Sequence, residues 1–215
     1  LRRYYPQQAT IYSTEPESAY QYFLKELQHG LSEDSSIRAG FIKIACEATL
    51  KQSPAGLIRA AVQASLDTGA AIQVHTERGS DAEQIMQFVL GLGLSPSKLI
   101  LCHMDKRPDR GLHQEIAASG VLLEYDSFLR PKYQPEQNAW PLLQYMIEND
   151  HFERIILATD LADPQLWQYL GSNGLGAVAL INHIGAGLRR LGLDEIRIAE
   201  LLGGNVVRCL ELQAA

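Results

Sequence analysis

Five short runs rich in valine, isoleucine and leucine recur along the chain, each separated from the next by an amphipathic stretch. They are 40–45 (GFIKIA), 71–75 (AIQVH), 98–103 (KLILCH), 121–125 (VLLEY) and 155–160 (IILATD). The stretches between them, 54–68, 80–93, 109–119 and 137–149, carry apolar residues at helical spacing. Another helix is predicted at 15–29, and 163–212 reads as mostly helical. Strands that alternate with helices pair in parallel, because each helical crossover returns the chain to the same end of the sheet. The interval is nearly constant: Lys43 and His75 lie 32 positions apart, His75 and His103 lie 28 apart. Repeats of that size build a (β/α)8 barrel, which typically takes ~250 residues. Only five runs are present, so either the parallel sheet is open, or the chain is an α/β TIM barrel of which about the first three strands lie outside this sequence. Residues 1–215 are expected to form a single domain made of the C-terminal five βα units.

Local signals support the segmentation. Thr14-x-x-Glu17 and Ser80-x-x-Glu83 have the form of capping boxes, in which each side chain satisfies a free backbone donor. Pro54 and Pro108 fall where first helical turns tolerate proline. Gly69, Gly93 and Gly120 follow helices as C-terminal stops. The longest irregular stretch, 127–138 (SFLRPKYQPEQN), follows a strand and reads as a functional loop.

Composition narrows the classes. A net charge of −6 and no basic run argue against a nucleic-acid partner. No apolar run approaches the ~20 residues of a membrane helix. The opening LRRYYPQQ carries no hydrophobic leader. Three widely spaced cysteines, Cys46, Cys102 and Cys209, fit reduced thiols and exclude a zinc knuckle. The expected setting is cytoplasmic, with a small-molecule substrate and a homodimer as the candidate assembly.

The chemistry-bearing residues collect at strand ends. Lys43, His75 (QVHTE), His103 (LCHMD) and Asp160 (ATDLA) each fall at or near the C-terminal end of a different run. In a parallel barrel those ends converge on one face. Side chains alternate along a strand, so an inward His103 sends Cys102 outward and removes it as a ligand. Lys43 lies inside an apolar run and is expected to lose its hydration on folding.

The segments IRAGFIKIA, TGAAIQVHTERG, LSPSKLILCHMD and IILATD, with the closing LRRLGLDEIRIAELLGGNVVRCL, resemble the phosphotriesterase family of the amidohydrolase superfamily. The resemblance runs from about residue 4 to 212. It implies a barrel of the metal-dependent hydrolase type holding two divalent metals, zinc or a similar ion. Lys43, carboxylated by CO2, would bridge the metals, and His75 and His103 would bind the more exposed one. Asp160 would bind the buried one and act catalytically on the proton of a metal-bridging hydroxide. That hydroxide would attack an ester-type bond, in a sugar or phosphorylated-sugar lactone or in a phosphotriester. The family also carries a His-x-His pair on its first strand. The six histidines here, at 29, 75, 103, 113, 151 and 183, form no such pair, and the family's closing Asn-Pro-Ala-Arg reads Asn205-Val206-Val207-Arg208. The pair is expected upstream, with the strands that precede Lys43.

The loops HMDKRPD and EYDSFLRPKYQ resemble those of the family's lactone and phospholactone hydrolases. That likeness makes Arg107, Arg130, Lys132 and Tyr133 candidates for an anionic substrate group. In those relatives basic residues also follow the last-strand aspartate, where this chain has Leu161-Ala162-Asp163-Pro164. Asp105 and Asp126 read as supporting or capping groups. Two alternatives remain open: a Schiff-base lyase with Lys43 as nucleophile, and a non-catalytic remnant of the fold.

Overall fold

The computed structural model describes residues 16–31, 34–162 and 175–211. Thr14 of the first predicted capping box and residues 163–174 of the predicted helical third lie outside them. Five parallel strands pair in the order of the sequence: β1 (Phe41–Cys46), β2 (Ala71–Thr76), β3 (Leu99–Cys102), β4 (Leu122–Tyr125) and β5 (Ile155–Leu157). Helix α1 (Pro16–Leu24), continued by a π turn through His29, precedes β1. Helices α2 (Ala55–Thr68), α3 (Ala82–Gly91), α4 (Arg110–Ala118) and α5 (Ala139–Glu148) cross from each strand to the next. Among the described residues three short helices follow: α6 (Gly185–Arg190), α7 (Glu195–Ala199) and α8 (Asn205–Leu210). No helix among the described residues is long and apolar enough to cross a membrane.

The register sorts the strands into two faces. Ile42, Ile44, Ile72, Val74, Leu99, Leu101, Leu123, Tyr125, Ile155 and Leu157 belong to the main buried core. Burying each such side chain stabilises by about 1.5–3 kcal/mol. The alternate residues form the other face, in layers. At the strand N-termini, Ala71, Ile100, Leu122 and Ile156 make a small apolar cluster closed by Cys209 of α8. Above it stand Lys43, Gln73, Cys102 and Glu124, and above those the ionisable groups of the strand C-terminal ends.

Gly69, Gly93 and Gly120 stop their helices at positive φ, as expected. Asp109 caps α4, its carboxylate accepting from Leu112 N at 3.1 Å, so Pro108 sits just ahead of the cap. The Ser80 capping box does not form. Its Glu83 carboxylate is engaged by both guanidinium nitrogens of Arg107, at 3.0 and 3.2 Å, and α3 starts at Ala82. Asp81 turns instead to accept from Leu50 N at 2.9 Å.

Three strands, β3, β4 and β5, are shorter than expected, and in β3 this redirects side chains. β3 ends at Cys102, and His103 takes a left-handed backbone, φ 64°. Alternation therefore does not carry through to His103. Cys102 pairs in register with His75 and faces inward, its sulfur 3.0 Å from Lys43 Nζ. Lys43 itself is exposed rather than desolvated. It lies on the inner face of β1, an edge strand among the described residues, next to Phe41 at 41% exposure.

Candidate functional site

The parallel strands deliver their C-terminal ends to one rim. His75 is the fifth residue of β2, His103 follows β3, Asp126 follows β4, and Asp160 stands three residues past β5. His103 and Asp160 both hold positive φ, 64° and 43°. Such backbone costs on the order of 1–3 kcal/mol in non-glycine residues and is retained where surrounding contacts impose it.

Those contacts are explicit. His75 Nδ1 and His103 Nε2 lie 2.8 Å apart, with the rings edge to face at 75°. On its other side, His103 Nδ1 lies 2.5 Å from Asp126 Oδ2. A carboxylate only accepts, so His103 Nδ1–H donates to Asp126 and Nε2 is left as an acceptor. The proton between the two rings then belongs to His75 Nδ1. Burial, then the charges of His103 and Lys43, pushes His75 down to about 4, which keeps its imidazole neutral at neutral pH. Burial alone would raise the Asp126 carboxyl, but the His103 hydrogen bond and the Lys106 charge outweigh it and hold it below the ordinary range.

Lys106, on the short turn after His103, enters the same cluster. Its Nζ lies 3.2 Å from Asp126 Oδ1, 3.2 Å from Asp160 Oδ2 and 2.9 Å from His103 Nδ1. Burial works against the charged amine, yet the two carboxylates raise it above the usual lysine value. Arg130 reaches Asp160 as well, 3.1 Å from Oδ2 and bonded to its backbone oxygen. Asp105, at 1% exposure, accepts from Ser127 N at 2.8 Å and Ser127 Oγ at 2.5 Å. Burial and the nearby Asp126 charge raise it to about 6.

The layer below is quieter. Lys43 Nζ donates to Cys102 Sγ, and Gln73 Nε2 donates to Glu124 Oε2. Burial, then Asp126, raises the Glu124 carboxyl. Burial also pushes the Cys102 thiol well up.

Of the eight residues singled out from the sequence, six line or adjoin one cleft: His75, His103, Asp160, Arg130, Lys132 and Tyr133. Lys132 Nζ stands 5.0 Å from the centre of the Tyr133 ring, and the Arg78 guanidinium 6.0 Å from it. Lys43 sits one layer deeper, and Arg107 is committed to Glu83 and Gly79. Lys106 and Arg78 carried no motif of their own. The only signal for Lys106 was its position three residues after His103, close enough for one 3-10 turn to fold it back.

The donors suit a divalent ion. Two imidazole nitrogens, His75 Nδ1 and His103 Nε2, face each other at 2.8 Å, and one ring is oriented by a carboxylate behind it, as is usual for metal-binding histidines. Two nitrogens plus a carboxylate such as Asp160 suit zinc or a similar ion. A second grouping, His103, Asp126 and Asp160, brings one ligand atom each within 4.8 Å of the others, with the Lys106 ammonium in contact with all three. The described residues thus offer an open set of donors for one ion, and none of them supplies a His-x-His pair for another.

The chain is similar to a phospho-furanose lactonase of Mycoplasmopsis synoviae, 28% identical over 159 residues that make up 71% of this chain and 45% of that protein. It is 30% identical over 150 residues to a phosphotriesterase homology protein of Mycobacterium tuberculosis, covering 67% of this chain and 45% of the other. The chain spans about half the length of the curated relatives it matches. Its fold is similar to that of the Escherichia coli phosphotriesterase homology protein, with a TM-score of 0.85 at 18% identity, over 96% of this chain and 70% of that structure. The sequence profile of the phosphotriesterase family matches residues 2–210, and the chain belongs to that family.

Proposed function

We propose that this chain carries the larger part of a metal-dependent lactonase site, acting on a sugar or phosphorylated-sugar lactone, with phosphotriesters as the related substrate class. Lys43, His75, His103 and Asp160 are the proposed ligands of two divalent ions, zinc in the first instance, with Lys43 carboxylated by CO2. The observation that carries the reading is the convergence of His75 Nδ1 and His103 Nε2 to 2.8 Å, with Asp126 fixing the His103 ring from behind. Membership of the family favours hydrolysis over the lyase alternative, and the name of the Mycoplasmopsis synoviae relative supplies the phosphorylated lactone.

When bound, a divalent ion acidifies a water and polarises the carbonyl under attack. The chain's own residues do the rest. Asp160, on the rim between Lys106 and Arg130, takes the proton of the attacking water on its carboxylate and returns it to the leaving ring oxygen. Arg130, Lys132 and Tyr133 orient an anionic substituent at the mouth of the cleft. No cation follows Asp160 directly in sequence, and Arg130 brings one to it from the loop after β4. The Lys43–Cys102 contact holds the Lys43 amine on the inner face, open to CO2.

The test is hydrolysis by the full gene product supplied with zinc and bicarbonate. A phosphorylated furanose lactone is expected to be cleaved faster than its unphosphorylated form and than an aryl phosphotriester. Chelation and Asp160→Asn should each abolish turnover. Lys132→Ala should raise KM for the phosphorylated substrate on the order of tenfold and leave the neutral lactone unaffected. Zinc-loaded protein that opens no lactone contradicts the proposal.

A further inference from the structure

Lys106 is the most deeply engaged cation at the site. Its side chain is 6% exposed, and its ammonium touches Asp126, which is fully buried, Asp160 and His103. These three are the residues whose ligand atoms group within 4.8 Å of one another. An ammonium so placed offsets part of the charge of both carboxylates, and Arg130 balances Asp160 from its other side. Its position also has two consequences for a metal held by His75 and His103. One Asp160 oxygen, Oδ2, is already taken by both Lys106 and Arg130, so an ion would compete with two cations for this carboxylate. The positive charge also lies 2.9 Å from the imidazole whose far nitrogen faces His75, so an incoming ion meets a like charge across one ring.

We infer that Lys106 is a built-in counter-cation of the metal-free site, which holds Asp126 and Asp160 in place and must give up Asp160 for a divalent ion to bind. The inference rests on the metal-dependent reading above and adds a competitor from within the chain. Before loading, the Lys106 ammonium and the Arg130 guanidinium together balance the two carboxylates; after it, the ion takes over the share that the ammonium gives up. Removal of the charge should therefore tighten metal binding. It also leaves Asp126 as the undivided acceptor of the His103 Nδ1 proton, which makes His103 a better donor at Nε2.

Zinc affinity of the full gene product, measured by competition with a chromophoric chelator, tests this. Lys106→Met, checked for folding by circular dichroism, is expected to bind zinc at least about tenfold tighter than the native chain. Lys106→Arg, which keeps the charge, is expected to bind as the native chain does. A folded Lys106→Met with equal or weaker affinity overturns the inference and leaves the metal site standing. Absence of zinc binding in every variant overturns both. Labelling by acetic anhydride reads the native chain itself, should Lys106→Met not fold. Lys106 is expected to acetylate faster with zinc than without, and an unchanged rate overturns the inference.

Discussion

The two faces of the sheet are made by the same five strands, residue by residue in alternation, and they obey different rules. The outer face, with Ile44, Val74, Leu101, Leu123 and Leu157, is covered by helices and packed with apolar side chains. The inner face is apolar only at its base, around Ile100 and Leu122, and becomes polar, then ionic, toward the strand C-terminal ends. The outer face derives its stability from area removed from water. The inner face has its buried charges matched one against another, and each group depends on its partner's protonation and position. The outer face should therefore respond to changes of volume, and the inner face to changes of charge.

The largest effect expected tests the outer layer. A Cβ at Gly187 would collide with the Trp140 ring, which is itself held against Phe128 with centroids 4.7 Å apart. Gly187→Ala is predicted to destabilise by about 3 kcal/mol in urea unfolding. A change below ~1 kcal/mol would show that this packing yields.

Next is a titration hidden on the outer side. His113 is fully buried, between the Tyr125 hydroxyl at 2.6 Å and the Arg107 backbone oxygen at 2.9 Å. Burial pushes it down to about 4. The unfolded chain takes up that proton near pH 6.5, so this contribution is present above 6.5 and is lost as pH falls to about 4. The loss amounts to roughly 3 kcal/mol. His75, also near 4, adds to the same slope. His113→Gln is predicted to lower stability at pH 7 yet to flatten its fall between pH 6.5 and 4 by about half. An unchanged slope would place the acid sensitivity elsewhere.

On the inner face, Asp126→Asn keeps shape and removes charge. Zinc affinity should fall about 10–100-fold. A smaller change would mean that His103 is oriented without its carboxylate. The smallest effect belongs to Arg107, whose pair with Glu83 is half exposed. Arg107→Ala should cost under about 1 kcal/mol and leave turnover within a few-fold of native. A large loss of turnover would return Arg107 to the substrate.

The difference between the faces also explains what could be read in advance. Ile72-x-Val74 and Leu99-x-Leu101 announce an outer face because burial and period two coincide there. His75, His103 and Asp160 were visible as polar residues ending apolar runs. Cys102 was misplaced because a single left-handed residue, His103, breaks the alternation, and periodicity carries no trace of one dihedral angle. Lys43 was expected to be desolvated because its sequence neighbours are apolar, but those neighbours, Ile42 and Ile44, point to the opposite face. The Ser80 box failed for a non-local reason: Arg107, 24 positions away from Glu83, claims the carboxylate first.

Anomalous diffraction at the zinc edge, from crystals of the zinc-loaded gene product, tests the central claim most directly. The predicted result is a peak about 2.0–2.1 Å from both His75 Nδ1 and His103 Nε2. Zinc confined to exposed histidines such as His29 or His183, with none between His75 and His103, would contradict it.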